Sequence, residues 1–385
     1  MKKKINILAI TSTRADFGIL SNLLNKINND KFFNFNLIVT GSHTSKKFGN
    51  SYSEIPKNLK LIKVNFNFLK DDQQNIANNS AIIIKKTSKI IRNKKPDLFL
   101  ILGDRYEIFC AAYSALINYL PIAHIHGGEL TQNSLDDALR HGISKMSNIH
   151  FVSHKKYKNR LIQLGENKKN IFCFGGLGAE NIKKLNVVDK KKLEKLYNIK
   201  FKRRNILVTY HPETIKHTNN LQKFKILIKA CYKLEKINFI FTYPNFDHGS
   251  RDIINLLKKQ KNKKNITVIK TFGHQNYLSL LKHCDLMIGN SSSGILEAPS
   301  LRKFAINIGD RQTGREFSNN VINCKMNMSE IIKKINYAYV IKNNNRIKNI
   351  YYKKDCANKI LKTLKNINYN KIYPKKFVDL NMKVI

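Results

Sequence analysis

Three carboxylates and a histidine stand just beyond apolar runs of this chain. Asp104 follows Leu98–Leu102, His126 and Glu129 follow Pro121–Ile125, and Asp136 opens the polar stretch after them. Acids gathered at one point can divide into base, acid and orienting roles, because close packing drives their pKa values apart. Plainer fates exist for Asp136. It stands four residues before Arg140, the spacing of a helix ion pair, and an acid suits the first turn of a helix. A second set of residues suits a phosphate. Arg14, Arg105, His211 and Arg311 each follow an apolar run, and a diphosphate needs several charge-assisted donors. Asn290–Gly294, NSSSG, lies between an apolar run and a helix expected from about Ile295. Free N–H groups, the positive helix end and serine hydroxyls all favour an anion there, with ordinary serine N-capping as the alternative. Glu297, one turn on, suits either ribose hydroxyls or the helix dipole.

The elements that must position these groups alternate between β and α. Strands are expected at Ile5–Ile10, Phe35–Thr40, Lys60–Phe66, Leu98–Leu102, Pro121–Ile125, Asn148–Ser153 and Ile171–Phe174. Helices are expected over Asn75–Asn93 and His154–Leu164, and after Arg14 with Leu20, Leu23, Leu24 and Ile27 at helical spacing. Past a lysine-rich joint at 181–204, a second series runs through Asn205–Tyr210, Asn238–Tyr243, Asn265–Lys270, Asp285–Gly289 and Phe304–Ile308. Fully apolar runs of this length fit strands buried on both faces of a parallel sheet. The fold class is therefore α/β: two Rossmann-like doubly wound domains facing a central cleft, with ligands at the carboxyl ends of the strands. Residues 1–180 form the domain carrying the acids, 181–370 the nucleotide-binding domain, and 371–385 a tail, with a closing helix at Cys356–Leu364.

Composition removes several classes. The chain has 385 residues, 42% of them hydrophobic, ample for two cores. Its 70 Lys+Arg against 26 Asp+Glu leave a formal charge of +44, which raises nucleic acid or an acidic membrane as partners. The lysines are scattered among asparagines and isoleucines with no basic block interleaved with aromatics, so neither partner is expected. The six cysteines lie far apart with no CxxC, which argues for free thiols and against metal binding. The apolar run at the N-terminus is too short for a signal sequence or a membrane span, and a cytoplasmic protein is expected. Gly175-Gly176-Leu177-Gly178 lacks the GxGxxG order and reads as a tight strand-to-helix turn. No GxxxxGK[ST] occurs.

TSTRAD (Thr11–Asp16), GDRYE (Gly103–Glu107), HIHGGE (His124–Glu129), DDALRH (Asp136–His141), YHPET (Tyr210–Thr214), GNSSSG (Gly289–Gly294) and GDRQTGR (Gly309–Arg315) occur in that order. Together they resemble the hydrolysing UDP-N-acetylglucosamine 2-epimerases, over nearly the whole chain. The resemblance implies a GT-B-type fold and a nucleotide sugar as partner; no cofactor or metal is expected, and a homo-oligomer (dimer or tetramer) is. It implies release of UDP with inversion at C2 to give N-acetylmannosamine, the entry to sialic acid synthesis, by elimination to 2-acetamidoglucal and rehydration. By position it assigns Arg14, Arg105, His211, Asn245, Ser291, Ser292, Glu297 and Arg311 to the nucleotide, and Asp104, Glu129 and Asp136 to catalysis. Some relatives have a glutamate where this chain has His126, so His126 and Glu129 both stand as candidates for the proton transfer. The same reaction on a UDP- or GDP-linked 2,4-diacetamido sugar is the nearest alternative. A glycosyltransferase of the same architecture is further off, and a nucleic-acid-binding protein is furthest.

Overall fold

A computed structural model describes residues 4–45, 51–65, 73–131, 134–213, 219–244, 249–260, 263–341 and 346–380. Seven strands, β1 (Ile5–Thr11), β2 (Phe33–Val39), β3 (Leu61–Lys63), β4 (Leu98–Leu102), β5 (Ile122–Ile125), β6 (Ile149–Val152) and β7 (Ile171–Cys173), make one sheet in the order β3-β2-β1-β4-β5-β6-β7. Six more, β8 (Asn205–Thr209), β9 (Asn238–Thr242), β10 (Ile266–Ile269), β11 (Leu286–Gly289), β12 (Phe304–Ile308) and β13 (Val321–Cys324), make a second in the order β10-β9-β8-β11-β12-β13. Every pairing in both is parallel.

Burial on both faces explains the apolar runs. In β4, Leu98, Leu100 and Leu102 enter one core while Phe99 and Ile101 enter the other. In β8, Ile206 and Val208 face one core and Leu207 its opposite. In each sheet the strand order reverses at a central pair, β1 with β4 and β8 with β11. The loops that leave the carboxyl ends of such a pair are where doubly wound sheets bind ligands.

Four helices matter for the site: α1 (Arg14–Asn29), α2 (Gln73–Lys94), α3 (Tyr106–Ile117) and α4 (Leu135–Met146). The Thr13 hydroxyl accepts from the Asp16 N–H at the start of α1, and Asp16 Oδ2 in turn accepts from the Ser12 N–H at 2.9 Å. That exchange satisfies N–H groups a helix start leaves unpaired. Leu20, Leu23, Leu24 and Ile27 form the buried stripe of α1.

The chain divides into two compact units, residues 1–129, 136–180 and 353–385 in one, and 130–135 with 181–352 in the other. The expected second domain, 181–370, thus overreaches at its carboxyl end. The helix Cys356–Asn366 is amphipathic and buries Cys356, Ala357, Ile360 and Leu364 in the first unit's core, where it packs against α1. The expected tail also makes contacts there: the Val378 N–H donates to the Gly165 carbonyl at 3.0 Å. Elements additional to those expected include β13 and the helices Asn220–Lys233, Ser250–Lys258 and Met328–Ile341. The helix expected after NSSSG is a single turn, Ser293–Leu296, followed by a 3-10 turn at Ala298–Leu301. Pro299 lacks the N–H that would continue it. All six cysteines are free thiols. Among the described residues, no helix is long and apolar enough to cross a membrane.

Candidate active site

Beyond β4 the chain turns through Gly103, at φ 85°, into Asp104. The Asp104 carboxylate pairs with Arg140 of α4, which is 1% exposed. Arg140 also donates to the Glu129 carbonyl at 3.0 Å and lies 3.7 Å from Asp137 Oδ1. A buried guanidinium is tolerable only when its charge and donors are matched in this way. Within α4, Asp137 lies 3.7 Å from Arg140 and 3.7 Å from His141. Asp136, half-buried, sits in the same first turn.

Glu129 is 2% exposed, and its Oε1 accepts from the Ser153 hydroxyl at 3.0 Å and from His126 Nδ1 at 2.9 Å. The other ring nitrogen of His126, Nε2, is buried without a protein partner among the described residues. His126 holds φ at 68°, a conformation costly for a side chain with a Cβ and typical of functional turns. The two glycines after it are sterically required. A Cβ on Gly127 would lie 2.9 Å from both His124 Nδ1 and Ser144 Oγ, and one on Gly128 would lie 2.5 Å from the Tyr157 carbonyl. His124 is fully buried, its Nε2 bonded to the Gly103 carbonyl at 2.8 Å and its Nδ1 to Ser144 Oγ at 3.2 Å. Burial pushes its pKa down to about 3, so the ring is neutral. It donates to Gly103 and accepts from Ser144.

Arg14 and Arg105, the two arginines of this unit expected to meet the nucleotide, are each engaged by a carboxylate. Arg14, first residue of α1, pairs with Glu54 at 2.6 Å, and Arg105 pairs with Glu107 at 3.2 Å. Glu107 is fully buried, and burial raises its pKa against the opposing charge of Arg105. His43 bridges Thr11 Oγ1 (3.1 Å) and Ser51 Oγ (2.7 Å) beside the same strand ends, its pKa lowered by burial.

In the second unit, Asn290 joins the central strand pair. Its side chain accepts from the His211 N–H at 2.7 Å and donates to the His211 carbonyl at 2.8 Å. Its own carbonyl receives Arg311 Nη1 at 3.2 Å and Gln312 Nε2 at 2.8 Å. Ser293 donates to Glu297, and the Ser293 N–H bonds Ser291 Oγ at 3.3 Å. The structure thus brings His211, Ser291, Ser292, Glu297 and Arg311 into one cluster at the ends of β8, β11 and β12. Because the helix there is one turn, backbone N–H groups, hydroxyls and the guanidinium supply its polarity, rather than a long macrodipole. Asn245 lies outside the described residues.

Ser153, His124, Glu107 and His43 carry no role in the sequence expectations. A serine ending the strand next to β5, and a histidine two residues before His126 in HIH, were the available signals. Asn290 was visible only as part of NSSSG.

Two parallel doubly wound units, one ending in paired acids around a buried arginine and the other in a hydroxyl and guanidinium cluster, define an α/β enzyme of the GT-B type. The family model described as UDP-N-acetylglucosamine 2-epimerase matches residues 25–365. A GDP/UDP-N,N'-diacetylbacillosamine 2-epimerase (hydrolyzing) of Campylobacter jejuni is 40% identical over 98% of this chain and 100% of its own length. The polysialic acid biosynthesis protein P7 of Escherichia coli is 36% identical over 88% of this chain and 86% of its own. The crystal structure of the Methanocaldococcus jannaschii UDP-GlcNAc 2-epimerase in complex with UDP-GlcNAc and UDP superposes with a TM-score of 0.80, at 19% identity, over 94% of this chain and 100% of that one. The chain belongs to the UDP-N-acetylglucosamine 2-epimerase family and is an enzyme, a 2-epimerase acting on nucleotide sugars.

Proposed function

We propose that this 2-epimerase is hydrolysing: it takes UDP-N-acetylglucosamine and water to N-acetylmannosamine and UDP. The observation that carries this reading is the cluster of Asp104, His126, Glu129 and Arg140, which pairs a carboxylate with a guanidinium and an imidazole with a second carboxylate. Loss of the C2 proton from a glycosyl nucleotide needs a base in contact while the diphosphate leaves C1. Glu129 holds the Nδ1–H of His126, so the ring's lone pair lies on Nε2, the buried atom with no protein partner. That is an imidazole base oriented by a carboxylate.

The roles divide accordingly. His126 with Glu129 forms one proton carrier and Asp104 the other, each serving one face of C2, with Asp136 orienting the sugar. The first step breaks the C1–O bond and the C2–H bond to give 2-acetamidoglucal and UDP. The second adds water across the double bond, with hydroxide joining C1 and the proton returning to the opposite face of C2. Arg14, Arg105, His211, Asn245, Ser291, Ser292 and Arg311 hold the departing diphosphate, where the largest charge develops, and Glu297 accepts from the ribose. Arg14 and Arg105 then exchange Glu54 and Glu107 for phosphate oxygens.

A second reading is favoured by the 40% identity to the Campylobacter jejuni diacetylbacillosamine enzyme over its full length: the same chemistry on a 2,4-diacetamido sugar carried by UDP or GDP. Incubation with UDP-N-acetylglucosamine, its 4-acetamido-4,6-dideoxy analogue and their GDP counterparts in deuterium oxide separates the two by NMR. Free sugar with deuterium at C2 is expected from the true substrate. Release of nucleoside diphosphate without exchange at C2 would sink the elimination mechanism.

A further inference from the structure

Lys375 is half-buried, with its ammonium group among four acceptors. The carbonyls of Ser144, Lys145 and Ser147 lie at 3.3, 2.7 and 2.7 Å, and Glu166 Oε2 at 2.6 Å. Two of those carbonyls belong to the last turn of α4 and the third lies just past it. The final carbonyls of a helix have no intrahelical donor, and a cation there is favoured by the helix dipole. Glu166 is 2% exposed and also holds Lys145 Nζ at 3.1 Å and His150 Nε2 at 2.9 Å. The segment bearing Lys375 is tied down on both sides. Asn148 Nδ2 donates to the Ile372 carbonyl at 3.1 Å, and the Val378 N–H bonds Gly165. Phe377 lies over Gly165, where a Cβ would come 2.4 Å from its ring, and Lys145 Nζ sits 4.2 Å from the centre of that ring.

Two residues of α4, Arg140 and Ser144, support Asp104 by separate routes. Arg140 pairs with Asp104 directly. Ser144 Oγ bonds His124, and His124 bonds the carbonyl of Gly103, the residue before Asp104. A helix that slides or frays at its carboxyl end shifts both supports together.

We propose that Lys375 is a positioning residue: by closing the carboxyl end of α4 it sets Asp104 through Arg140 and through Ser144 and His124. The proposal rests on the catalytic role given to Asp104. Displacement of a reacting group by about 1 Å costs rate on the order of 100-fold, and loss of one of several ties on α4 should cost less.

The test uses the full-length Lys375→Met and Lys375→Arg variants. The methionine variant is expected to lose roughly five- to twentyfold in kcat while KM stays within about twofold. Amide hydrogen exchange in the last turn of α4 should accelerate, and arginine should restore most of both. Parental kcat in Lys375→Met, a loss of kcat with unchanged exchange in α4, or equal losses of kcat and Tm in both variants would each overturn it. If the parent enzyme turned over none of the nucleotide sugars, the functional reading would fail. The exchange measurement would still report whether Lys375 holds α4.

Discussion

At the scale of the residue, the proposed mechanism gives His126 and Glu129 one job between them. Glu129 is buried and bonded by Ser153 and by the imidazole, and in that mechanism it acts through His126. His126→Gln is therefore expected to lower kcat by about 100- to 10,000-fold, the usual worth of a general base, with UDP affinity unchanged by isothermal titration. Asp104→Asn should abolish UDP release and likewise leave UDP binding nearly intact; normal turnover in that variant would remove Asp104 from the mechanism. The buried histidines give a pH dependence with a definite sign. Burial lowers the pKa of His43, His124, His141 and His150 in the fold, that of His124 to about 3. The unfolded chain takes these protons near pH 6.5. Stability from these groups is thus complete above about pH 6.5 and is lost as pH falls towards their folded values, by up to about 1.4 kcal/mol per pH unit for each histidine. Glu166, lowered mainly through His150 and Lys375 against burial, acts in the same direction below its unfolded value. Glu107, raised by burial, opposes it. Urea unfolding between pH 4 and 7 should show the fall, and a smaller one in His124→Gln.

At the scale of the element, the turn after β5 carries His126 and Glu129, and its glycines can be ranked. Gly128 combines a φ of 74° with a Cβ position 2.5 Å from backbone, so Gly128→Ala should cost on the order of 3 kcal/mol. Gly127→Ala presses on the ends of two side chains instead, His124 and Ser144, and should reduce kcat more than Tm. Gly178 offers the contrast. It lies in the helix Leu177–Lys183, where a Cβ would meet Ile19 at an ordinary 3.5 Å, so Gly178→Ala should stabilise by about 0.5 kcal/mol. Thermal melts of the three variants check the order, and a destabilised Gly178→Ala would break it.

At the scale of the whole molecule, the chain crosses back. Residues 353–385 complete the first unit after the second has been built. Ile360 and Leu364 are 1% and 0% exposed in the first unit's core, and burying each contributes roughly 2 kcal/mol. That is a large part of the 5–15 kcal/mol a domain typically holds. A chain ending at Tyr352 is expected to lose the first unit's cooperative urea transition while retaining that of the second. Two intact transitions in the truncated chain would contradict the division.

What the amino-acid sequence determined by itself was whatever depends on local pattern. Leu98–Leu102 and Phe304–Ile308 are strands because every side chain is apolar, and only a sheet covered on both faces buries them all. The doubly wound order followed, and with it the strand ends where Asp104 and His211 stand. β13 and the helix Met328–Ile341 escaped because their faces are mixed and half-exposed. NSSSG marks a helix start, while the one-turn length of that helix comes from Pro299 beyond it. Only tertiary structure could decide the relation of His126 to Glu129, since it depends on a φ of 68°, on Gly128 against Tyr157 and on a serine from the next strand. The same holds for Lys375 under α4, more than two hundred residues away along the chain. Such contacts join surfaces that meet only once the sheet has formed, and no spacing along the chain encodes them.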